Sequence, residues 1–293
     1  MATAPLAAVV LALAASTLHA STLAYWRFEE GPLYAQVSHN GQPDGGFYGG
    51  TADSSGNGNS LSVYQENWAG SQYRSEVPSA IVPQTGTSNN FSIKNTGGLP
   101  GLYTDPSSSF SASTPMAFTI EASFKVEAGA WRAIVGRDGN FGNQPAMWLG
   151  VNDAQGLMFR YVDLDGIYHD VNSVANAITG FDYPSDPDGT LAPWYSAAAV
   201  SDGATLSIYL NNALVGSTPL GAGNTAMNAG FNKWTVGRGM YAGGDGDRGY
   251  GYIDEVRISD SALAPGAFLS AVPEPSVGML GWFGAALLLR RRR

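Results

Sequence analysis

Alternation of apolar and polar residues is the strongest signal along this 293-residue chain. Residues 118–126 alternate without a break, and residues 206–210 repeat the pattern. Successive side chains of a β-strand point to opposite faces, so this period of two predicts strands with one buried and one solvated face. The same criteria predict further strands over 24–28, 79–82, 91–94, 133–137, 146–151, 157–162, 167–171, 195–200, 213–217, 233–237 and 252–258.

Short polar pairs such as Asp165-Gly166 and Asn211-Asn212 separate these stretches. Such pairs tolerate the positive φ angles of tight hairpins. No long stretch has a helical period, although residues 261–269 predict one short helical turn. Residues 32–77 are predicted to be loops with one or two short strands, and residues 176–193 a long loop. A dozen or more short antiparallel strands predict an all-β antiparallel β-sandwich or jelly roll.

The two ends of the chain carry different patterns. An apolar run over 6–15 followed by small residues predicts a signal peptide cleaved after Ala20, or alternatively after Ala24. It departs from the usual pattern, since no Lys or Arg precedes the run and Leu18 is large for its position. At the other end, a 13-residue apolar run over 277–289 is shorter than the roughly 20 residues of a full membrane span. Four arginines follow it and would stay in the cytoplasm.

These patterns divide the chain into a signal peptide (1–20), a folded domain (21–270) and a C-terminal segment (271–293), with helical signal and anchor segments at the ends. Val272-Pro273-Glu274-Pro275, the apolar run and the terminal arginines resemble the PEP-CTERM sorting signal of Gram-negative bacteria. The resemblance implies signal peptidase and exosortase as export partners. It also implies transient insertion into the inner membrane and release to the cell surface or extracellular space. An ordinary C-terminal anchor is the alternative.

Charge and cysteine content exclude several function classes. Without the four terminal arginines the chain has 11 basic against 24 acidic residues, a net charge of −13. This balance disfavours nucleic acid and anionic lipid as partners and suits divalent cations. The chain has no cysteine, which excludes disulfides, thiolate zinc sites and cysteine catalysis.

Several motifs resemble the LamG-like jelly rolls of the concanavalin A-like lectin/glucanase fold. Residues 24–31 (AYWRFEEG) are similar to the opening strand, 118–125 (FTIEASFK) to the central strand, and 134–139 (IVGRDG) to the hairpin after it. Residues 206–212 (LSIYLNN) resemble a later hairpin, and 251–258 (GYIDEVRI) the closing strand. The motifs occur in the family's order over 24–269. The resemblance implies a two-layer sandwich whose first and last strands lie side by side.

The resemblance also implies a structural calcium ion that joins the closing-strand carboxylate to the first strand and the following turn. The matching residues are Asp254, Glu30, Asp53 and Asn57. Asp254 is expected to face inward with Val256 and Ile258, and a buried carboxylate needs a partner. Hydrogen bonds to backbone amides or an ion pair with an arginine such as Arg27 are the alternatives. Asp245 and Asp247 lie in a glycine-rich loop, where they either bind calcium or solvate the loop.

Aromatic residues on or beside predicted strands suggest where a sugar ring could stack, and core packing is the alternative. The candidate ligand-binding residues are Trp131, Arg137, Asp138, Trp148 and Tyr168. The Glu-x-Asp-x-x-Glu motif of laminarinase-type relatives is missing, so no catalytic residues are predicted. We therefore expect a non-catalytic binding or structural module with extracellular polysaccharide or glycan as its ligand. The alternatives are a glycoside hydrolase and a protein-binding adhesion domain.

Overall fold

The computed structural model describes residues 21–37, 50–63, 70–95, 101–183, 185–186 and 190–273. These residues form seventeen β-strands and one short 3-10 helix, Pro265–Ala267. The strands are β1 (Thr22–Trp26), β2 (Leu61–Val63), β3 (Ser71–Arg74), β4 (Ser92–Asn95), β5 (Leu102–Thr104), β6 (Ala117–Val126), β7 (Arg132–Arg137), β8 (Met147–Val151), β9 (Leu157–Val162), β10 (Tyr168–Asn172), β11 (Tyr195–Asp202), β12 (Thr205–Leu210), β13 (Ala213–Pro219), β14 (Trp234–Val236), β15 (Gly239–Tyr241), β16 (Gly244–Gly246) and β17 (Gly251–Ser259).

Two antiparallel sheets form the layers of a sandwich, as the alternation predicted. One sheet has eight strands in the order β13-β12-β11-β6-β17-β4-β3, and β1 also pairs with β17. The other has seven strands in the order β10-β9-β8-β7-β14-β5-β2. A separate hairpin, β15–β16, was not predicted, because its glycine-rich sequence lacks any alternation.

The first and last strands lie side by side, as expected. Ala24 pairs with Ile258 and Trp26 with Val256 in antiparallel register. Strand β17 also pairs with the central strand β6. The two ends of the described domain therefore meet within one sheet, through the pairing of β1 with β17.

One large apolar core fills the space between the sheets. Phe118, Ile120, Ala122, Phe124 and Val126 of β6 all belong to it. The prediction that the other face of β6 is solvated was wrong, since Thr119, Glu121, Ser123 and Lys125 are also buried. Segments from elsewhere in the chain cover that face. Glu121 accepts a hydrogen bond from Leu269 N, and Lys125 pairs with Glu76.

Strand β17 contains a bulge between Asp254 and Arg257, where Glu255 takes a positive φ of 51°. A bulge adds one residue and reverses the alternation beyond it. As a result Ile253, Val256 and Ile258 belong to the main core. The expectation that Asp254 shares a face with Val256 and Ile258 was wrong for this reason, although Asp254 is itself fully buried.

The predicted strand over 79–82 is not formed and makes one isolated bridge at Ile81. The helical turn expected over 261–269 is the 3-10 helix, and β2 and β3 are the short strands expected within 32–77. In the part of the chain that is described, no helix has the length and apolar character to cross a membrane. The predicted signal peptide over 1–20 and the apolar run over 277–289 lie outside the described residues.

Candidate functional site

A cleft of about 350 Å³ opens on the outer face of the seven-stranded sheet. Trp131, Gln144, Arg160, Tyr241 and Asp247 line it. Its volume falls in the range of small-molecule sites, about 300 to 1,000 Å³. Three smaller pockets lie against the other sheet, of about 10 Å³, 130 Å³ and 80 Å³. All three are smaller than the usual small-molecule site, so the large cleft is the better candidate for a ligand.

Cross-strand pairing places the polar groups of the cleft. Trp148, Arg160 and Asp170 are direct neighbours on β8, β9 and β10. Met147, Leu149, Phe159 and Tyr161 alternate with them and point into the core, so Trp148 and Arg160 point outward. The cleft is therefore built on the rigid central strands of this sheet.

All three nitrogen atoms of the Arg160 guanidinium donate hydrogen bonds. Its Nε and Nη2 donate to both carboxylate oxygens of Asp170 at 2.6 Å, and its Nη1 donates to Gln144 Oε1 at 2.9 Å. The hydrogen bonds to Asp170 raise the pKa of Arg160 further. The guanidinium also lies 5.7 Å from the ring centre of Tyr168. These contacts hold Arg160, Gln144 and Asp170 together as a flat polar wall. They also leave little of the positive charge of Arg160 without a negatively charged partner.

Two tryptophans form the apolar wall. Trp131 is 40% exposed and meets Trp148 edge to face at 6.0 Å, whereas Trp148 is buried. Trp131 has a positive φ of 57°, which is rare for a bulky side chain and often marks a functional site. The hairpin β15–β16 presses against Trp148, since a Cβ atom at Gly239 would lie 2.9 Å from Cδ1 of the indole.

An ion-pair network anchors that hairpin. Arg238 donates to both carboxylate oxygens of Asp138 at 3.0 and 2.9 Å and to Asp245 Oδ1 at 2.8 Å. Burial raises the pKa of Asp138, and Arg238 opposes that shift. The network holds β16 and the residues after it over the sheet.

Asp247 follows β16 and is half-buried at the cleft. Its backbone carbonyl accepts a hydrogen bond from Ala133 N at 2.9 Å, which ties it to β7. Burial raises the pKa of its carboxyl to about 6. Among the described residues, no side chain forms a hydrogen bond or ion pair with this carboxylate.

The structure brings three of the five predicted ligand residues, Trp131, Trp148 and Tyr168, to this region and leaves two away from it. Arg137 is fully buried, stacks on Trp234 at 4.7 Å and donates to the carbonyls of Ser111 and Ser113. Asp138 is buried against Arg238. Both therefore lie out of reach of a ligand in the cleft.

Sequence reasoning missed Gln144, Arg160 and Tyr241 as cleft residues, and it considered Asp247 only as a possible calcium ligand. The alternation around Arg160, in the sequence Met158-Phe159-Arg160-Tyr161, could have placed its side chain on the outer face. No local signal marks the others, because the fold alone brings their loops together.

The four predicted calcium residues have separate hydrogen-bond partners. Asp53 accepts from the amides of Tyr25, Ser55 and Asn59, and Asn57 Nδ2 donates to the carbonyls of Thr22 and Leu23. Glu30 accepts from Ala52 N, and burial raises its pKa. No group of three or more His, Asp or Glu able to hold a metal occurs among the described residues.

Asp254 lies in a different environment. Its carboxylate accepts from Asn89 Nδ2 and from Glu255 N, both at 2.8 Å. Burial and then the neighbouring Glu255 carboxylate raise its pKa well above the usual range. Asn89 Oδ1 is buried and has no hydrogen-bond partner within the described part of the chain. Arg27, the suggested alternative partner of Asp254, pairs instead with Glu255 at 3.2 Å.

Comparison with protein families gives the identity of the fold. The laminin G-type model of the concanavalin A-like lectin/glucanases superfamily matches residues 96–266, more than half of the chain. The chain belongs to this superfamily. No curated protein matches its sequence. The family contains both binding proteins and enzymes by its description, so membership alone leaves both classes open.

Solved structures share the superfamily fold. The binding domain of Paraclostridial Mosquitocidal Protein 1 superposes with a TM-score of 0.51 at 15% identity, over 75% of this chain and 48% of that one. The botulinum neurotoxin serotype G binding domain gives 0.53 at 12% identity, over 85% and 50%. A Ruminococcus gnavus sialidase CBM40 bound to α2,3 sialyllactose gives 0.48 at 17% identity, over 62% and 96%. The chain thus spans about half the length of the first two.

Proposed function

We propose that this protein is a non-catalytic module that binds extracellular glycan in the cleft of the seven-stranded sheet. The observation that carries the proposal is the lining of the cleft. An exposed tryptophan and tyrosine, Trp131 and Tyr241, stand beside fixed polar groups on Gln144, Arg160 and Asp247. Sugar rings present apolar faces for stacking and hydroxyls for hydrogen bonds, and this combination suits both.

The carboxylates of the cleft support binding rather than hydrolysis. Glycosidases need two carboxyl groups on opposite sides of the scissile bond. Asp247 is the one carboxylate among the described residues that line the cleft. The nearby Asp170 is committed to Arg160 through both oxygens. A hydrolase that used Asp170 as its second carboxylate would need the Arg160–Asp170 pair to break.

Glycan binding by the full-length chain tests the proposal directly. We expect Trp131→Ala to abolish binding of the glycans that the wild type selects from an immobilised panel. Tyr34→Ala is the matched control, since Tyr34 is also an exposed aromatic residue at positive φ and lies beside β3 in the other sheet. Equal binding by wild type and Trp131→Ala would refute a glycan site here, and release of reducing sugar would favour the hydrolase.

Export to the cell surface or matrix is also a proposal, and it rests on the terminal sequences. The expected products are a chain lacking residues 1–20 and a chain later cut near Val272-Pro273-Glu274-Pro275. Mass spectrometry of the protein from a Gram-negative host with and without an exosortase checks this. A protein of unchanged C-terminus in both hosts would contradict the sorting signal and leave an ordinary anchor.

Structural calcium stays a prediction. In the set Glu30, Asp53, Asn57 and Asp254, the three carboxylates accept hydrogen bonds from different parts of the chain, and Asn57 donates through Nδ2. The buried Asp254 and the unpaired Asn89 Oδ1 are the oxygens that a calcium ion could use. Melting of the protein with calcium and with chelator decides it, and identical melting in both would end the calcium hypothesis.

A further inference from the structure

We propose that the cleft prefers a cationic amino sugar, with Asp247 as the partner of its ammonium group. This inference rests on the proposed glycan-binding function and names the class of sugar that the site would take. Neutral sugars would bind more weakly, and acidic sugars least.

The backbone of Asp247 is held in place beside the cleft. Its carbonyl is bonded to Ala133 N of β7, and the backbone of Gly239 lies against its Cβ, since an added Cβ at Gly239 would be 3.3 Å away. A positive φ of 47° sets the direction in which its side chain leaves the backbone. The backbone therefore presents the Asp247 side chain at the cleft, where a ligand can pair with its carboxylate.

The cationic side chains near Asp247 already have acceptors. Arg160 on β9 is bound by Asp170 and Gln144, and Arg238 before β15 is bound by Asp138 and Asp245. Arg132 on β7 donates to the carbonyls of Glu127 and Ala128 and lies over the ring of Tyr250. Burial raises the pKa of the Asp247 carboxyl, and among the described residues no side chain forms an ion pair with it.

The remaining walls also favour a cation. Trp131 and Tyr241 present aromatic faces, which attract positive charge. With its pKa at about 6, Asp247 is ionised at neutral pH, so it offers a charged acceptor in a partly dehydrated site. An acidic sugar would instead face Asp247 without a free arginine to pair with.

Three matched tetrasaccharides test the preference at pH 7 by calorimetry with the full-length chain. They are the tetramer of β1,4-linked glucosamine, the tetramer of β1,4-linked N-acetylglucosamine, and the tetramer of galacturonic acid. We expect the glucosamine tetramer to bind about tenfold more tightly than its acetylated counterpart. Added salt should reduce that difference, because screening weakens the ion pair.

Two charge-neutralising variants separate a local ion pair from the overall negative charge of the protein. Asp247→Asn should remove the preference for glucosamine and leave the acetylated tetramer bound as before. Asp153→Asn removes the same charge from an exposed turn between β8 and β9 and should leave the preference intact.

The outcomes distinguish this inference from the function on which it rests. Tetramers that bind in a Trp131-dependent way, with no preference or with a preference that survives Asp247→Asn, would overturn the amino-sugar inference alone. If no tetramer binds the wild type more tightly than Trp131→Ala, the glycan site itself is refuted and the inference is refuted with it.

Discussion

Arg238 and Asp138 are one hundred residues apart in sequence and form a buried, two-pronged ion pair, with Nη1–Oδ1 at 3.0 Å and Nη2–Oδ2 at 2.9 Å. Their side chains are 3% and 5% exposed. The same guanidinium reaches Asp245 in β16, so one arginine links the end of β7 to the hairpin beside the cleft. The geometry of the proposed binding site therefore depends on this pair.

Arg238→Met is expected to destabilise the protein by about 3 to 5 kcal/mol, because it leaves the buried Asp138 carboxylate without its partner. Urea unfolding measures the change. The double variant Asp138→Leu with Arg238→Met should recover much of the loss, since neither buried charge remains. A single variant that costs less than about 1 kcal/mol would contradict this account.

Trp131 and Trp148 are in contact, but substitution by glycine should change the stability of the protein very differently at the two positions. Trp131→Gly removes the steric cost of a left-handed backbone conformation, which is about 1 to 2 kcal/mol. It also loses a ring contact that contributes about 0.5 to 1.5 kcal/mol. Its stability should therefore change by no more than about 1 kcal/mol while glycan binding disappears. Trp148→Gly empties a buried site and should cost about 3 to 5 kcal/mol. Denaturant unfolding beside a binding assay measures both, and similar losses of stability would contradict the division of roles.

Asp254→Asn should stabilise the protein at neutral pH in the presence of a chelator, by about 1 kcal/mol or more. The amide can still accept from Glu255 N, and its Nδ2 can donate to the unpaired Asn89 Oδ1 after that side chain rotates. Because burial raises the pKa of Asp254 in the folded state, the contribution of this residue to stability is fully present below the unfolded pKa of about 3.9. The wild type loses that contribution as pH rises through the folded pKa, whereas the asparagine variant does not.

Melting temperatures across this pH range, with chelator, should therefore converge at low pH and separate as pH rises. Calcium provides the second comparison. If Asp254 binds the ion, calcium raises the melting temperature of the wild type and has a smaller effect on Asp254→Asn. An asparagine variant that is less stable than the wild type at every pH, even with chelator, would contradict the charge-burial argument.

Two glycines at positive φ should respond differently to alanine. At Gly251, with φ 112°, an added Cβ would lie 2.2 Å from the carbonyl oxygen of Lys125 in the central strand. At Gly166, with φ 79°, nothing lies within 4 Å. We expect Gly166→Ala to cost about 1 to 2 kcal/mol and Gly251→Ala about 3 kcal/mol or more, as judged by urea unfolding. Equal costs would show that β17 can move away from β6.

The strands were predictable where one face meets the main core. Residues 157–162 were predicted with the observed bounds of β9, and 206–210 differ from β12 by one residue. The short strands β5, β15 and β16 escaped prediction, since three residues are too few to show a period. The bulge at Glu255 also escaped, because a bulge depends on pairing with β1 and β6 rather than on local sequence.

The candidate site was predictable only in part, through its aromatic residues. Trp131, Trp148 and Tyr168 were nominated for their chemistry, and the fold places them at or beside the cleft. Arg137 was nominated on the same grounds and is buried. Whether such a residue points inward or outward depends on sheet register and on covering segments, which long-range contacts determine.

The sequence by itself determined the class of fold, because alternation and turn residues act over a few positions and report directly on strands and hairpins. It also supplied the charge balance, the lack of cysteine and the terminal patterns. Only the tertiary structure decided which carboxylates have partners. Asp138 and Arg238 meet across one hundred residues, whereas no side chain in the described part of the chain pairs with Asp247 at the cleft. Charge compensation depends on distances between distant segments, and those distances exist only once the two sheets have packed.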